Sequence, residues 1–418
     1  MKLAVVGGGS TYTPELVDGL ARLRSTLAVD ELALCDPAED RLAVVGGVAR
    51  RILRRQGHPA AVTLHAELEG AADGADAVLV QLRVGGQSTR AEDEQWPLEC
   101  GCVGQETTGA GGLAKALRTV PVVLDVAQRV RRTSPEAWIV DFTNPVGIVT
   151  RALLQDGHRA LGLCNVAIGF QRRFAGLLGV EPDRVRLGHV GLNHLTWERA
   201  AFVDGVDALP KLLAEHLEAI AAELELPAGV VGRLGAVPSY YLRYFYAHDE
   251  VVRELRNRPS RATEVAAIES RLLELYADPE LAEKPGELSQ RGGAYYSEAA
   301  VALLDSLLGS RAGDVHVVNV RNDGRLPFLD DDHVIEAPAE VEAKGAHALA
   351  VDAVEPIYAG LIAHVAAYER LALDAALHGG RNRVFAALLA HPLVGQIDLA
   401  EGLTDRLLAH NRAFLEWA

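Results

Sequence analysis

Several short stretches carry side chains whose types can do chemistry. In "GLCNV" Cys164 and Asn165 stand just past an apolar run, and in "GLNHL" His194 does the same. A lone thiol or imidazole at such a place is either an ordinary buried residue or half of a pair that meets around something. "LRVGGQSTRAEDE" carries Arg83 and Arg90, whose planar guanidinium forks match phosphate oxygens. "FTNPVG" carries Asn144, and "GQETTGAGG" carries Gln105 and Glu106 ahead of glycines. At the start, "VVGGGSTYTPEL" puts Gly7 and Gly9 where a dinucleotide turn wants glycine, with Ser10 and Thr11 following. One glycine allows the tight turn, and the other lets the backbone approach a pyrophosphate resting on the next helix's N-terminus. Tyr12 fills the third glycine position, so the fingerprint is incomplete. Asp36 ends the next apolar run, where a carboxylate can hydrogen-bond the adenosine ribose hydroxyls. It would repel a 2′-phosphate, which points to NAD rather than NADP. Asp36 also suits a helix N-cap in "CDPAEDRL", and the two roles are compatible.

These residues need elements to position them. Apolar runs of four to seven residues occur at 2–6, 31–36, 61–67, 77–82, 138–143 and 159–165. Runs apolar on both faces fit the buried strands of a parallel sheet. Helical patterns lie between several of them, including "TPELVDGLARL", "EDRLAVVGGVARRIL" and "GLAKALRTVPVVLDVAQRVRR", the last with a bend at Pro121. Strand–helix alternation of this kind predicts an α/β fold with a doubly wound sheet. In such sheets ligands sit beyond the carboxyl ends of the strands, where Arg83, Arg90, Asn144, Cys164 and Asn165 all fall. After about residue 166 the texture changes. "VRLGHVG" and "HLTWERAAFV" alternate like antiparallel strands. Helical stretches follow at 207–224, 240–247, 262–277, 293–309 and 348–390, with strands at 314–320 and 332–338. Residues 278–292 read as a polar loop at a site or interface. The expected division is a nucleotide-binding unit over 1–166 and an α+β unit over 167–418 that holds substrate and metal and mediates oligomerisation.

Totals exclude several classes. The 418 residues carry a formal charge of −16, the wrong sign for nucleic acid or an anionic membrane surface. No apolar run approaches the roughly eighteen residues needed to span a bilayer. The run after Met1-Lys2 is too short for a signal-peptide core and reads as a first strand. The four cysteines make no CxxC pair and no secreted framework. A cytoplasmic protein with reduced thiols is expected.

In order, "GGGSTYTPEL", "RVGGQSTRAEDE", "GQETTGAGG", "DFTNPVG", "GLCNV", "GLNHL", "YLRYFY", "RGGAYYSEAA" and "NVRNDGRLPFLDDDHVIEAP" resemble glycoside hydrolase family 4, and within it the 6-phospho-β-glucosidases. The resemblance runs through most of the chain. It implies a Rossmann-type sheet followed by an α+β domain of the lactate/malate dehydrogenase-like type. It also implies an NAD-dependent exception to two-carboxylate glycoside hydrolysis. In that scheme NAD⁺ takes hydride from C3 of the sugar, a base removes the acidified C2 proton, and the C1–O bond breaks by elimination. Water then adds and C3 is reduced again, so the net reaction is hydrolysis. A divalent metal, usually Mn²⁺, is implied on Cys164 and His194, although a thiolate and an imidazole also suit Zn²⁺ or Fe²⁺. The C2 base maps onto Tyr241, with Tyr240 adjacent. Arg83 and Arg90 become candidates for the 6-phosphate. Arg291 falls near metal or sugar, and Asn144 and Asn165 bind sugar hydroxyls. Members that cleave α-glycosides carry Asp after the cysteine as an acid for the leaving group. Asn165 cannot protonate anything, which points to β-glycosides. The expected partner is a phosphorylated disaccharide or aryl glycoside, and the expected assembly a homodimer or homotetramer. The rival is an NAD-dependent hydroxy-acid or sugar dehydrogenase, which would release NADH.

Overall fold

The computed structural model describes residues 1–293, 295–309 and 311–418. Six strands form first: β1 (Lys2–Val6), β2 (Glu31–Cys35), β3 (Ala61–His65), β4 (Ala77–Val80), β5 (Trp138–Asp141) and β6 (Ala160–Gly162). They pair in parallel in the order β3-β2-β1-β4-β5-β6, the doubly wound arrangement that the alternating pattern predicts. Their runs are apolar on both faces because helices cover both. β4 and β5 are buried at every residue. Strand order reverses at β1 and β4, so a crevice opens beyond their carboxyl ends, where Gly7 and Arg83 begin the next turns.

Residues beyond 166 build a second sheet and also enlarge the first. β7 (Val185–Leu192) and β8 (Leu195–Val203) form an antiparallel hairpin, extended by β9 (Val206–Asp207) and β10 (Val237–Pro238). β11 (Asp314–Arg321), β12 (Val334–Glu342) and β13 (Gly345–Ala348) join the first sheet at β6, antiparallel, through Asn319 opposite Gly162. The nine-stranded sheet therefore crosses residue 166. Most of the buried apolar side chains form one continuous core, and a smaller one around Phe174, Val185 and Leu212 lies under the hairpin.

The differences from the expected elements have local causes. The stretch 348–390 is two helices, Pro356–His378 and Arg381–Ala390. Gly379 and Gly380 both adopt positive φ between them, which ends the first helix. The stretch 240–247 is a 3₁₀ turn, Tyr240–Leu242, leading into a four-residue helix. The expected loop at 278–292 winds into a 3₁₀ helix at Gly286–Arg291. Pro121 lies inside one helix, Gly109–Thr133. Of the helical stretch 293–309, residue 294 lies outside the described residues, and the helix runs Tyr296–Leu308.

Candidate active site

The nucleotide turn follows β1. Gly7 has φ +86°, and a Cβ there would sit 2.6 Å from the Gln81 carbonyl oxygen. A Cβ on Gly9 would lie 2.9 Å from the Asp36 carboxylate, so glycine is what lets this backbone close onto the acid. The Gly9 N–H donates to Asp36 Oδ2 at 3.1 Å, and the Ala38 N–H donates to Oδ1 at 3.0 Å. Asp36 thus fixes the turn, but it is not the N-cap of the next helix: that position is Ala38, whose N–H donates to it ahead of the helix. Gly7, Gly9, Ser10 and Asp36 all line one cavity of about 740 Å³. Thr11 is a correction: it is fully buried off the cavity wall, its hydroxyl 3.4 Å from Glu269 and its carbonyl accepting from the Tyr276 hydroxyl. It braces the turn from behind.

The same cavity has a basic wall. Six basic side chains line it (Arg41, Arg83, Arg90, Lys115, Arg261 and Arg291) against three acids, Asp36, Glu106 and Glu269. In a chain of net charge −16 that local excess selects for anions. Two carboxylates organise the wall. Glu106 pairs with Arg83, with Arg90 at 3.2 Å and with Lys115 at 2.5 Å. Burial would raise the Glu106 carboxyl, but the charges of Arg83, Lys115 and Arg90 overcome it and hold it well below the carboxylate range. Burial pushes the Lys115 ammonium down to about 7, against the attraction of Glu106. Glu269 pairs with Arg291 at 3.0 Å and Arg41 at 3.5 Å and accepts from Gln87 at 3.1 Å. Arg291 also lies over the Tyr12 ring, 5.5 Å from its centroid. Arg90 meets Glu94 and Glu106 through Nε, and no hydrogen bond of its two terminal nitrogens is seen among the described residues.

At the far end of the cavity His194 sits in the two-residue turn between β7 and β8 with φ +63°, a strained conformation for a non-glycine residue. β10 pairs with β8 and leads directly into the 3₁₀ turn that carries Tyr241. The imidazole and the phenol stack in consequence, with centroids 3.6 Å apart and planes 9° from parallel. Tyr240, beside it, is exposed and does not stack on His194 in this way. Burial lowers the His194 imidazole to about 4, so it is neutral. Burial, with Tyr240 and Cys164 adding to it, raises the Tyr241 phenol well above its ordinary value. Asn144 and Asn165 line this end, and Asn144 Oδ1 is buried without a hydrogen-bond partner among the described residues.

Cys164 follows β6 and is almost fully buried, behind the cavity wall rather than on it. Burial and then Glu336 push its thiol up to about 12, while the Val166 N–H and the side chains of Asn193 and Tyr296 hydrogen-bond it. Among the described residues no three Cys, His, Asp or Glu side chains gather as a complete metal cage. The charge of Glu336 acts on both Cys164 and His194. Glu336 lies behind both, held by His189 at 3.1 Å, Asn193 at 2.8 Å and Asn319 at 3.0 Å.

Models of this family match the chain almost end to end. The "Family 4 glycosyl hydrolase" model covers residues 2–180, and that of its C-terminal domain covers residues 189–394. The chain belongs to family 4 of the glycosyl hydrolases. Its similarity to a probable 6-phospho-beta-glucosidase of Bacillus subtilis (strain 168) is 37% identity, over 99% of this chain and 97% of that protein. The 6-phospho-beta glucosidase of Thermotoga maritima, solved with NAD and glucose-6-phosphate, superposes with a TM-score of 0.93 at 35% identity, covering 99% of both chains. The same enzyme has been solved with manganese, NAD⁺ and glucose-6-phosphate, and there the TM-score is 0.91 at 34% identity. A malate dehydrogenase of Salinibacter ruber shares the fold alone, with a TM-score of 0.54 at 15% identity. Lys115, Glu269, Arg41 and Arg261 line the cavity and are not singled out by the sequence. Two of them carry a signal that could have been read: Lys115 interrupts the apolar "GAGGLAKALRTV", and Glu269 shares a helix face with buried Val265, Leu272 and Tyr276.

Proposed function

We propose that this family 4 enzyme hydrolyses 6-phospho-β-glucosides with NAD⁺ and a divalent metal, Mn²⁺ first, as its resident groups. One observation carries this: a single cavity joins the Gly7–Asp36 turn, the basic wall and the His194–Tyr241 stack without interruption. NAD suits the first end, where backbone N–H groups and a ribose-binding carboxylate stand together. At the other end, His194 on the cavity wall and Cys164 behind it would offer a neutral imidazole and a thiol sulfur, which suit a borderline-soft divalent cation. The unpartnered Asn144 Oδ1 beside it suits a sugar hydroxyl.

Bound NAD⁺ supplies a hydride acceptor at sugar C3. Bound metal supplies a Lewis acid for the C2 and C3 oxygens and a positive charge close to Tyr241. The chain's own residues do the rest. Arg90, with Arg83 and Arg291 behind carboxylate clamps, holds the 6-phosphate and so fixes the ring over the nicotinamide end. Tyr241 accepts the C2 proton. The protein alone raises this phenol, so Tyr241 acts as a base only with a cation beside it. Asn165 can orient a hydroxyl but cannot donate a proton to a leaving group, which favours β-glycosides. We extend the proposal to a division of labour across one shared sheet: residues 1–166 bring the nucleotide turn, Arg83, Arg90, Asn144, Cys164 and Asn165, and residues 167–418 bring His194, Tyr241 and Arg291. Four free thiols suit a reducing cytoplasm, and the resemblance suits a homodimer or homotetramer.

The test is to supply 4-nitrophenyl 6-phospho-β-glucoside with NAD⁺, Mn²⁺ and a thiol. Nitrophenolate release with no net change at 340 nm is expected. Steady accumulation of NADH, or no release with all three present, overturns the proposal.

A further inference from the structure

We infer that Gln105 and Thr107 set the tautomer of His194 so that its Nε2 is the nitrogen offered to the metal. This rests on the metal site proposed above. Three distances carry it. The Thr107 backbone nitrogen lies 2.5 Å from Gln105 Oε1, and the Thr107 hydroxyl lies 2.8 Å from the same atom. That hydroxyl also lies 2.9 Å from His194 Nδ1. A backbone N–H can only donate, so the Gln105 atom facing it is the carbonyl oxygen, which can only accept. The hydroxyl has one hydrogen. If it pointed at Nδ1, two oxygens with no proton between them would stand 2.8 Å apart. The network is consistent only when Thr107 donates to Gln105 and accepts from an N–H on Nδ1.

A ligating imidazole is neutral and carries one N–H. With that proton on Nδ1, the lone pair is on Nε2. The assignment comes from heavy-atom distances, as such assignments do. The ring has no freedom to exchange the two nitrogens cheaply, because Tyr241 covers one face at 3.6 Å and the hairpin turn holds the backbone at φ +63°. Thr107 itself is off the cavity wall. It is a positioning residue that acts through His194, and Gln105 keeps its hydroxyl pointed the right way.

The test uses the full-length protein and Mn²⁺ alone, titrated calorimetrically or by the EPR signal of free Mn²⁺. Thr107→Val keeps the shape and removes the hydroxyl, and loss of an outer-shell partner of this kind weakens metal binding about 10- to 100-fold. Thr107→Ser keeps the hydroxyl and should bind Mn²⁺ within about threefold of wild type. Raising Mn²⁺ should restore most of the turnover of Thr107→Val. Unchanged affinity in Thr107→Val, or equal losses in the Val and Ser variants, overturns the inference. Long-range ¹H–¹⁵N correlation on metal-free, histidine-labelled wild type reads the tautomer without any variant: Nδ1–H is expected, and Nε2–H overturns it. If His194→Ala and Cys164→Ser bind Mn²⁺ as wild type does, the metal site has failed instead, and the spectrum still decides the tautomer.

Discussion

Replacing Arg90 with Ala removes one guanidinium from the basic wall. Glu94 keeps the Ala262 N–H at 2.8 Å, and Glu106 keeps Arg83 and the Lys115 ammonium at 2.5 Å. A buried carboxylate left without its cation costs about 3–5 kcal/mol. Glu106 escapes this, but Glu94 retains only a backbone N–H, so the variant should be less stable and is assayed where circular dichroism shows it folded. The lost term is a charge-assisted contact from the terminal nitrogens to the sugar phosphate, worth about 1.5–3 kcal/mol. At about 1.4 kcal/mol per decade, kcat/KM for 4-nitrophenyl 6-phospho-β-glucoside should fall roughly 10- to 150-fold. Hydrolysis of 4-nitrophenyl β-glucoside, which has no phosphate, should change by less than about threefold. Arg90→Lys should fall between, since it keeps the charge and loses the fork. Steady-state rates on both substrates, with NAD⁺ and Mn²⁺ saturating, give the ratio directly. Equal losses on the two substrates would refute the phosphate role and make Arg90 a clamp for Glu94 and Glu106.

Excess chelator should abolish turnover and added Mn²⁺ restore it, while Cys164→Ser should lose at least about 100-fold because only a thiolate makes that bond. Full activity in chelator would exclude the metal. Turnover in D₂O should place deuterium at C2 of the released 6-phospho sugar, and Tyr241→Phe should lose about 10²–10⁴-fold in kcat while binding NAD⁺ normally. An undeuterated product, or an unimpaired variant, would remove Tyr241 from the reaction. Stability should fall in acid through His391. Its two ring nitrogens lie 3.1 and 3.0 Å from the backbone nitrogens of Gly109 and Leu393, so a protonated ring would face donors on both sides. Burial and then His364 lower it to about 3. The unfolded chain takes up this proton near 6.5 and the folded chain does not, so stability is lost as pH falls below 6.5. At pH 5 the loss from this one ring is about 2 kcal/mol. Urea midpoints should therefore drop more between pH 7 and pH 5 for wild type than for His391→Asn, and parallel drops would contradict it.

The six parallel strands are legible because each run is apolar on both faces, and only a covered parallel sheet demands that. β9 and β10 are two residues long and leave no periodic trace, yet β10 is what aims Tyr241. The choice between Tyr240 and Tyr241 is therefore open in the sequence, and in the structure it comes down to which ring stacks on His194. Gly7, Gly9 and Asp36 are readable because close backbone approach restricts residue type. Thr11 is not, since the direction of a side chain in a turn depends on what packs behind it, here Glu269 and Tyr276. Glu106 is visible as an acid ahead of glycines. That it gathers three cations is not, because Arg83, Arg90 and Lys115 meet it only when two helices and a loop fold together.

His189 on β7 is fully buried between Glu198 on β8, at 2.6 Å, and Glu336 on β12, at 3.1 Å. Asn193 and Asn319 complete the cluster. A polar cluster is thus set into the contact between the nine-stranded sheet and the hairpin sheet, beside the apolar side chains of Val190, Leu192, Val318 and Ile335. Such a joint cannot drift one residue at a time. Replacing His189 alone leaves two buried carboxylates without their shared imidazole, and replacing Glu336 alone leaves the Asn193 and Asn319 amides without that acceptor while His189 keeps Glu198. Combined changes here should be milder than the sum of the single ones. Related sequences should therefore carry the five residues together or a wholly different set together, inheriting the joint as one character.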